Sequence, residues 1–284
     1  MKDVLYSENS NYYNWRFGKI FYTKKGSGNP VLLIHDLNCT SSDYEWHEIV
    51  KKLSVDHTVY TLDLIGCGRS DKPKMTYTNY LYVQLITDFV KNVIKHNTDL
   101  VVTGKSTSCA IMSCYIDNQI FKNIILINPT DINYLNKYPK NKNKLLKHTI
   151  ELPIIGTLIY NILVSKSMIK DTFKSNYFYN SKLIRNRHLR AYNESAHLRG
   201  ASSKCLYSSI KSHYTNINII HALKDINNSI YIIGGEKSED IKNIIDDYTF
   251  YNPSIESTLI SNTKYLPQLE NPTELLQLLD LYLA

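Results

Sequence analysis

The strongest constraint on the fold is a regular alternation of short apolar runs with segments of helix length. Three apolar runs lie at 58–62, 100–102 and 123–127. Helix-length stretches accompany them at 42–53, 77–95 and 108–118. Continuous apolar strands separated by helices are typical of a mostly parallel sheet that helices bury on both faces. We therefore predict an α/β fold with a mostly parallel central sheet.

The N-terminal region contains a turn signal between two apolar runs. Residues 20–22 and 31–34 flank the sequence Gly-Ser-Gly-Asn-Pro at 26–30. Two short strand-like runs on either side of a glycine-rich turn predict an antiparallel hairpin.

The alternation stops near Asp131 and resumes about 100 residues later. After Asp131 the sequence is helical and basic, and the next clear strand lies at 229–233. A helix at 241–247, a strand at 257–260 and a leucine-rich helix at 272–282 follow. We predict an α/β core that a largely helical insertion interrupts.

The net charge of +7 is distributed unevenly along the chain. Residues 132–224 contain 16 lysines and arginines against three acidic residues, whereas the remainder contains 17 basic and 23 acidic residues. A solvated basic face, enriched by a lysine-rich composition, is the ordinary explanation. An anionic ligand, a membrane surface or nucleic acid are the alternatives, and we expect no nucleic-acid partner because no such motif is present.

Cysteine usage and hydropathy bear on the compartment. The five cysteines are odd in number, scattered and without a C-x-x-C pair, which argues against a disulfide framework and a zinc site. No run of about 18 apolar residues suggests a membrane-spanning helix. The N-terminal residues lack the apolar stretch of a signal peptide. We expect a cytoplasmic protein that holds no metal or cofactor.

Four segments carry a family resemblance, in this order: Gly26-Ser-Gly-Asn-Pro-Val-Leu-Leu-Ile-His35, Asp63-Leu-Ile-Gly-Cys-Gly-Arg-Ser-Asp-Lys-Pro73, Gly104-Lys-Ser-Thr-Ser108 and Leu266-Pro-Gln-Leu-Glu-Asn-Pro272. They resemble the oxyanion strand, the D-x-x-G-x-G-x-S-x-K-P loop, the nucleophile elbow and the segment after the catalytic histidine of the α/β-hydrolase superfamily. The likeness is to its lid-containing, esterase and haloalkane-dehalogenase-like branch. It implies an α/β-hydrolase fold with core segments 1–131 and 225–284 and a helical lid at 132–224.

The resemblance implies a degenerate catalytic triad. It assigns Ser106 to the nucleophile position, and it sets Tyr265 in place of the histidine and Ser238 in place of the aspartate. A phenol, whose reference pKa is about 10, is a poor general base at neutral pH. No histidine follows His221, so a shift of one or two residues does not restore the base.

The oxyanion loop is altered as well. The family's His-Gly becomes His35-Asp36, and the resemblance implies the backbone N–H groups of Leu37 and Thr107 as the oxyanion donors. An anionic Asp36 that points into the pocket opposes a developing oxyanion, because charges interact strongly in a dry site.

Substitute catalytic groups remain candidates. His197 has Glu194 about one helical turn before it, and His35 lies in the oxyanion loop. Without a catalytic role, His197 is an ordinary histidine of the lid, and His35 is a packing and hydrogen-bonding residue at the end of a strand. Replacement acids for Ser238 are Asp131, Glu239 and Asp240.

Two functions follow from these observations. The first is a catalytically impaired hydrolase relative that binds a small molecule or a partner. The second is an active, esterase-like serine hydrolase that acts on an ester-like small substrate, with Ser106 as nucleophile and a non-standard base. Membrane association through the basic lid is a further possibility.

Overall fold

The computed structural model describes residues 4–5 and 10–283. The strands of its central sheet are β1 Asn11–Trp15, β2 Gly18–Lys25, β3 Asn29–Ile34, β4 His57–Leu62, β5 Thr98–Thr103, β6 Phe121–Ile127, β7 Ser229–Gly235 and β8 Glu256–Ile260. They are arranged in the order β1-β2-β4-β3-β5-β6-β7-β8. Only the β1–β2 and β2–β4 pairs are antiparallel; the remaining pairs are parallel. The predicted α/β fold with a mostly parallel sheet is confirmed.

The described residues form thirteen α-helices: α1 His47–Leu53, α2 Asn79–Phe89, α3 Ser106–Ile116, α4 Ile132–Leu135, α5 Asn141–Glu151, α6 Ile155–Leu163, α7 Lys166–Thr172, α8 Asn186–His197, α9 Lys204–Lys211, α10 Ile220–Asp225, α11 Ile241–Tyr251, α12 Pro267–Glu270 and α13 Pro272–Tyr282. Short 3₁₀ turns lie at Asp43–Trp46, Asn118–Ile120 and Ser181–Leu183, and π turns at Val90–Ile94 and Phe173–Tyr177. None of the helices in these described ranges is long and apolar enough to cross a bilayer.

The two faces of the sheet are buried by different helices. Val31 and Leu33 of β3 pack on the side of α1 and α13. Leu32 and Ile34 belong to the opposite core, which includes side chains of α2 and α3. Because successive strand residues point to opposite faces, a strand that is buried on both sides must be largely apolar on both of them. This requirement explains the continuous apolar runs of the sequence.

The predicted hairpin between residues 20–22 and 31–34 is wrong. β2 pairs with β1 and β4, and β3 pairs with β4 and β5. β4 is buried on both faces from Val59 to Leu62 and takes the position between β2 and β3, where it gains a hydrogen-bonded neighbour on each edge. The glycine-rich turn marks a chain reversal correctly, but local sequence does not determine which strand becomes the partner.

Helices α4–α10 lie between β6 and β7 and pack over the core. α10 packs against α3, and the hydroxyl of Tyr160 in α6 donates to the carbonyl of Ala196 in α8 at 2.8 Å. Phe173, Tyr177 and Tyr192 from this region form one buried aromatic cluster that also includes Leu266 from the C-terminal part. The segment therefore covers the region that leads to the C-terminal motif. The boundaries of the lid at 132 and 224 stay a prediction.

Candidate active site

The turn between β5 and α3 has room for glycine only. Its residue Gly104 has a φ of +61°, a conformation that side chains rarely adopt. A Cβ atom placed on Gly104 overlaps the hydroxyl of Tyr265 and Oδ1 of Asp36. The space where a side chain at this turn normally projects is therefore occupied by groups from two other segments.

Asp36 places a carboxylate at the start of α3. The side chain is 1% exposed, and its Oδ1 accepts a hydrogen bond of 2.7 Å from the backbone N–H of Lys105. The first N–H groups of a helix point outwards without intrahelical partners and favour a negative charge. The side chain of Asp36 thus fills an anion-binding position with an anion from the protein itself.

Tyr265 closes the other side of the Gly104 turn. Its hydroxyl donates a hydrogen bond to the carboxylate of Asp36. Burial, followed by the charge of Asp36, raises the pKa of Tyr265 well above its ordinary value, so the phenol keeps its proton. Its ring stacks on that of Tyr177 at 5.4 Å between centroids. Tyr265 therefore acts as a hydrogen-bond donor in this arrangement.

Asn128 fixes the segment that carries Tyr265. It follows β6 and has a φ of +44°. Its side-chain amide donates to the carbonyls of Lys264 at 3.1 Å and Tyr265 at 3.0 Å, and its Oδ1 accepts from the N–H of Gly235 at 2.9 Å. One side chain thus joins the ends of β6 and β7 to the C-terminal motif and sets the position of Tyr265.

A second buried carboxyl group, Glu45, lies beside Asp36. Its Oε2 accepts from the N–H of Asp36 at 3.0 Å, and its Oε1 accepts from the hydroxyl of Tyr192 at 2.9 Å. Burial, with a further contribution from the charge of Asp36, raises the pKa of Glu45 to about 8. Glu45 is consequently mostly protonated at neutral pH and adds no second full charge to the site.

The segment 63–73 holds the turn that carries Glu45. Asp63 accepts from the N–H of Asp43 at 2.7 Å and from Nε of Arg69 at 2.9 Å. The guanidinium of Arg69 also pairs with Asp43, which begins the 3₁₀ turn containing Glu45. This loop therefore acts as a scaffold for the buried acid.

Ser106 lies two residues beyond Gly104, as the first residue of α3. It is fully buried, and its hydroxyl donates to the carbonyl of His35 at 2.7 Å. The N–H of Thr107 donates to the carbonyl of Gly104 at 3.2 Å, as does its hydroxyl at 2.7 Å. Leu37, the other predicted donor of the oxyanion site, is buried.

Ser106→Ala is expected to lower the free energy of unfolding by about 1 kcal/mol, because one buried hydrogen bond is lost and the His35 carbonyl loses a donor. Urea denaturation of both proteins measures the change. Ser202→Ala is the matched control, since the Ser202 hydroxyl makes an exposed hydrogen bond to the carbonyl of Arg199. Equal midpoints for the Ser106 variant and the unmodified chain contradict the prediction.

Both ring nitrogens of His35 are in use. Nδ1 donates to the carbonyl of Asp36 at 2.7 Å, and Nε2 accepts from the N–H of Leu64 at 3.0 Å. The ring is fully buried, and burial lowers its pKa. These contacts hold the oxyanion loop against the end of β4 and leave His35 no free nitrogen to accept a proton.

His197 and Glu194 have separate partners. Nδ1 of His197 lies 2.8 Å from the carbonyl of Asn193. The carboxylate of Glu194 accepts from the backbone N–H groups of Val4 at 2.9 Å and Leu5 at 3.4 Å. Glu194 thus fixes the N-terminal segment, and the two residues do not form an acid–base pair.

The overall structure is similar to solved hydrolases over nearly its whole length. An epoxide hydrolase, CorEH, superimposes with a TM-score of 0.79 at 16% identity and covers 96% of this chain and 97% of that one. The carboxylesterase CesB of Bacillus subtilis gives 0.74 at 14% identity over 98% and 92% of the two chains. A family model described as "alpha/beta hydrolase fold" matches residues 29–154. This chain is an α/β-hydrolase-fold protein. The predicted fold is confirmed.

Curated relatives match shorter segments of the α/β-hydrolase-fold chain. A 2-hydroxy-6-oxo-6-(2'-aminophenyl)hexa-2,4-dienoic acid hydrolase of Metapseudomonas resinovorans is 31% identical over 71 residues, which are 25% of this chain and 24% of the relative. A haloalkane dehalogenase of Agrobacterium fabrum is 41% identical over 63 residues, 22% of this chain and 20% of the relative. The matches thus span about a quarter or less of these two relatives.

The candidate replacements for the triad aspartate are spread along the ends of two strands. Ser238 follows β7, and its Oγ is buried without a hydrogen-bond partner among the described residues. Glu239 and Asp240 are exposed, and Asp240 precedes α11 with a φ of +53°. Asp131 caps α4 by accepting from the N–H of Asn133 at 2.7 Å.

Neither of two cavities of this α/β-hydrolase fold is lined by Gly104, Asp36 or Tyr265. One of about 240 Å³ lies between the N-terminal segment and the Asp43–Trp46 turn, and a groove of about 550 Å³ lies beside α12 and α13. Within residues 4–5 and 10–283, no group of three or more histidine, cysteine, aspartate or glutamate side chains is close enough to hold a metal ion.

Sequence reasoning named Gly104 only as the first residue of the elbow motif, and it missed the N–H of Lys105 and the side chain of Glu45. The signal for Gly104 was its residue type, since glycine directly after a buried strand is the residue that best accepts a positive φ. Glu45 stands in no motif, and its burial depends on segments far away in the sequence.

Proposed function

We propose that this α/β-hydrolase-fold protein is a catalytically impaired relative of hydrolases that works by binding a small molecule or a partner. The observation that carries the proposal is the hydrogen bond from the Lys105 N–H to Asp36. In this fold the nucleophile occupies the strained strand-to-helix turn, and the N–H of the following residue stabilises the oxyanion. By that rule Gly104 holds the nucleophile position and Lys105 supplies the oxyanion donor.

Asp36 then opposes catalysis in two ways. Its carboxylate occupies the N–H that a tetrahedral intermediate needs, and its negative charge repels a developing oxyanion. Loss of one oxyanion donor alone lowers kcat by about 10²–10³ in a serine protease. A fixed carboxylate at the same place has a larger expected effect, because the donor is lost and a like charge is added.

The absence of a suitable base supports the same proposal. Tyr265, at the predicted histidine position, keeps its proton and donates a hydrogen bond to Asp36, and both nitrogens of His35 are hydrogen-bonded. In subtilisin, removal of the histidine alone costs about 2 × 10⁶ in kcat. A protein with neither base nor open oxyanion donor retains little acyl-transfer capacity.

The alternative is an active serine hydrolase that uses Ser106 on an ester-like small substrate, with His197 as the first candidate base. The relatives named above are hydrolases by name, which is the reason to keep it. It requires the Ser106 hydroxyl to leave the His35 carbonyl and to reach substrate from inside α3.

The five cysteines are free and buried, and we extend the proposal to a cytoplasmic location, where thiols remain reduced.

A fluorophosphonate probe, followed by intact-mass spectrometry, distinguishes the two functions. The chain is expected to gain no adduct, as is its Ser106→Ala variant, because Ser106 has neither a base nor access. A serine esterase with an intact triad, labelled in the same experiment, verifies the reagent. A single rapid adduct on the unmodified chain that Ser106→Ala abolishes supports active hydrolysis and refutes the proposal.

A further inference from the structure

Helix α6 turns its apolar side towards solvent. Ile155, Leu158 and Ile162 lie at helical spacing on one side and are 57%, 60% and 66% exposed. The opposite side carries Gly156 and Tyr160, which are buried against the rest of the insertion. An isolated surface helix normally has the reverse arrangement. This outward side of α6 has no covering among the described residues.

The segments before and after α6 also expose apolar side chains. Ile154 just before α6 is 76% exposed, and Leu145 of α5 and Met168 of α7 are 67% and 42% exposed. We call Ile154, Ile155, Leu158, Ile162 and Leu163 the α6 apolar face. Contiguous apolar surfaces of this kind are uncommon on monomeric proteins and mark places where another surface docks.

Exposed lysines lie on the helices that precede and follow α6 in the chain. Residues 137–174 contain eight lysines and two acidic residues. Four of the lysines are exposed on the two flanking helices: Lys142, Lys144, Lys166 and Lys170. Glu151 is occupied by an ion pair with Lys147 at 2.6 Å. The exposed aliphatic side chains of α6 are therefore accompanied by four exposed ammonium groups on α5 and α7.

We propose that the α6 apolar face docks on the surface of an anionic lipid bilayer. An interfacial helix lies in the plane of the bilayer surface with its apolar side in the acyl boundary, and lysines on the neighbouring helices bring their ammonium groups near lipid phosphates. Each lysine near an anionic bilayer adds attraction that decays within a Debye length. The nine residues of α6 supply the aliphatic side that inserts, and the lysines of α5 and α7 supply the attraction to anionic lipid.

Charge favours the bilayer over a second copy of the chain. A twofold contact through the α6 apolar face sets the lysines of one copy against the same lysines of the other, because a symmetric interface pairs identical patches. That arrangement concentrates like charges around the contact. An anionic bilayer satisfies both the apolar residues and the lysines. The inference is independent of whether the α/β-hydrolase site is active.

Vesicle co-sedimentation of the full chain tests the inference. The chain is expected to pellet with vesicles of phosphatidylcholine and phosphatidylserine, and to bind at least about tenfold more weakly in the double variant Ile155→Glu/Leu158→Glu, because two aliphatic insertions are lost. Added salt and Lys142→Gln/Lys144→Gln are expected to weaken binding too. Phe250→Glu is the matched control, because Phe250 is 78% exposed but belongs to α11, and it should bind like the unmodified chain.

Three results overturn the proposal. The first is a folded chain, judged by circular dichroism, that stays in the supernatant with anionic vesicles. The second is vesicle binding that Ile155→Glu/Leu158→Glu and Phe250→Glu change equally. The third is a concentration-dependent dimer that the double variant abolishes while the unmodified chain ignores vesicles, since that result assigns the face to a second copy.

Discussion

Gly104→Ser is expected to lower the free energy of unfolding by about 2–5 kcal/mol. A side chain at a φ of +61° costs about 1–2 kcal/mol, and overpacking in a filled interior adds about 1–3 kcal/mol. The overpacking arises because the new Cβ overlaps the hydroxyl of Tyr265 and the carboxylate of Asp36. Urea denaturation followed by circular dichroism measures the change. The result matters for function because a nucleophile at this turn cannot coexist with the Asp36–Tyr265 pair.

Gly200→Ser separates backbone strain from steric overlap. Gly200 has a φ of +68°, and a Cβ placed there meets no atom within 4 Å, so only the strain of about 1–2 kcal/mol is expected. The excess cost at Gly104 should disappear in an Asp36→Ala/Tyr265→Phe background, which removes both obstructing groups. If Gly104→Ser and Gly200→Ser lower the free energy of unfolding equally, Asp36 and Tyr265 do not fill the space at Gly104 and the prediction is contradicted.

Much of the fold follows from the sequence for a local reason. A strand buried on both faces must be largely apolar, and the predicted strands at 58–62, 100–102 and 123–127 are mostly apolar in the printed sequence. The pairing of β2 was missed because β4, which separates it from β3, comes more than 20 residues after the turn. The local sequence of a strand does not show which distant strand will be its hydrogen-bonded partner.

The candidate site was predictable in part. The motifs placed Asp36 and Tyr265 in the same region, and the structure brings both to the start of α3. The register of the elbow was less visible, because G-x-S-x-S letters match at Ser106 whereas the positive φ lies at Gly104. A motif match compares residue types only, whereas the sign of φ at a turn is known only once the backbone conformation is known.

Glu45→Gln is expected to reduce the pH dependence of stability. The pKa of Glu45 is about 8 in the folded chain against 4.5 as the ordinary value. Between these values the folded state holds a proton that the unfolded state has released, so the free energy of unfolding decreases as pH rises. At about 1.4 kcal/mol per pH unit, this group weakens the fold by about 4 kcal/mol from pH 5 to pH 8. Glutamine stays neutral and keeps an oxygen for the Asp36 N–H.

Urea denaturation at several pH values measures the prediction as a difference, because other groups titrate in both proteins. Near pH 5 the variant should resemble the unmodified chain, and near pH 8 it should be more stable by up to about 4 kcal/mol. Glu239→Gln is the control, since Glu239 is exposed, and its curve should run parallel to that of the unmodified chain. Parallel curves for Glu45→Gln as well contradict a buried, protonated Glu45. If the stability difference between Glu45→Gln and the unmodified chain increases with pH, Glu45 loses its proton at alkaline pH and places a second negative charge beside Asp36. The two carboxylates then repel an oxyanion more strongly than Asp36 alone.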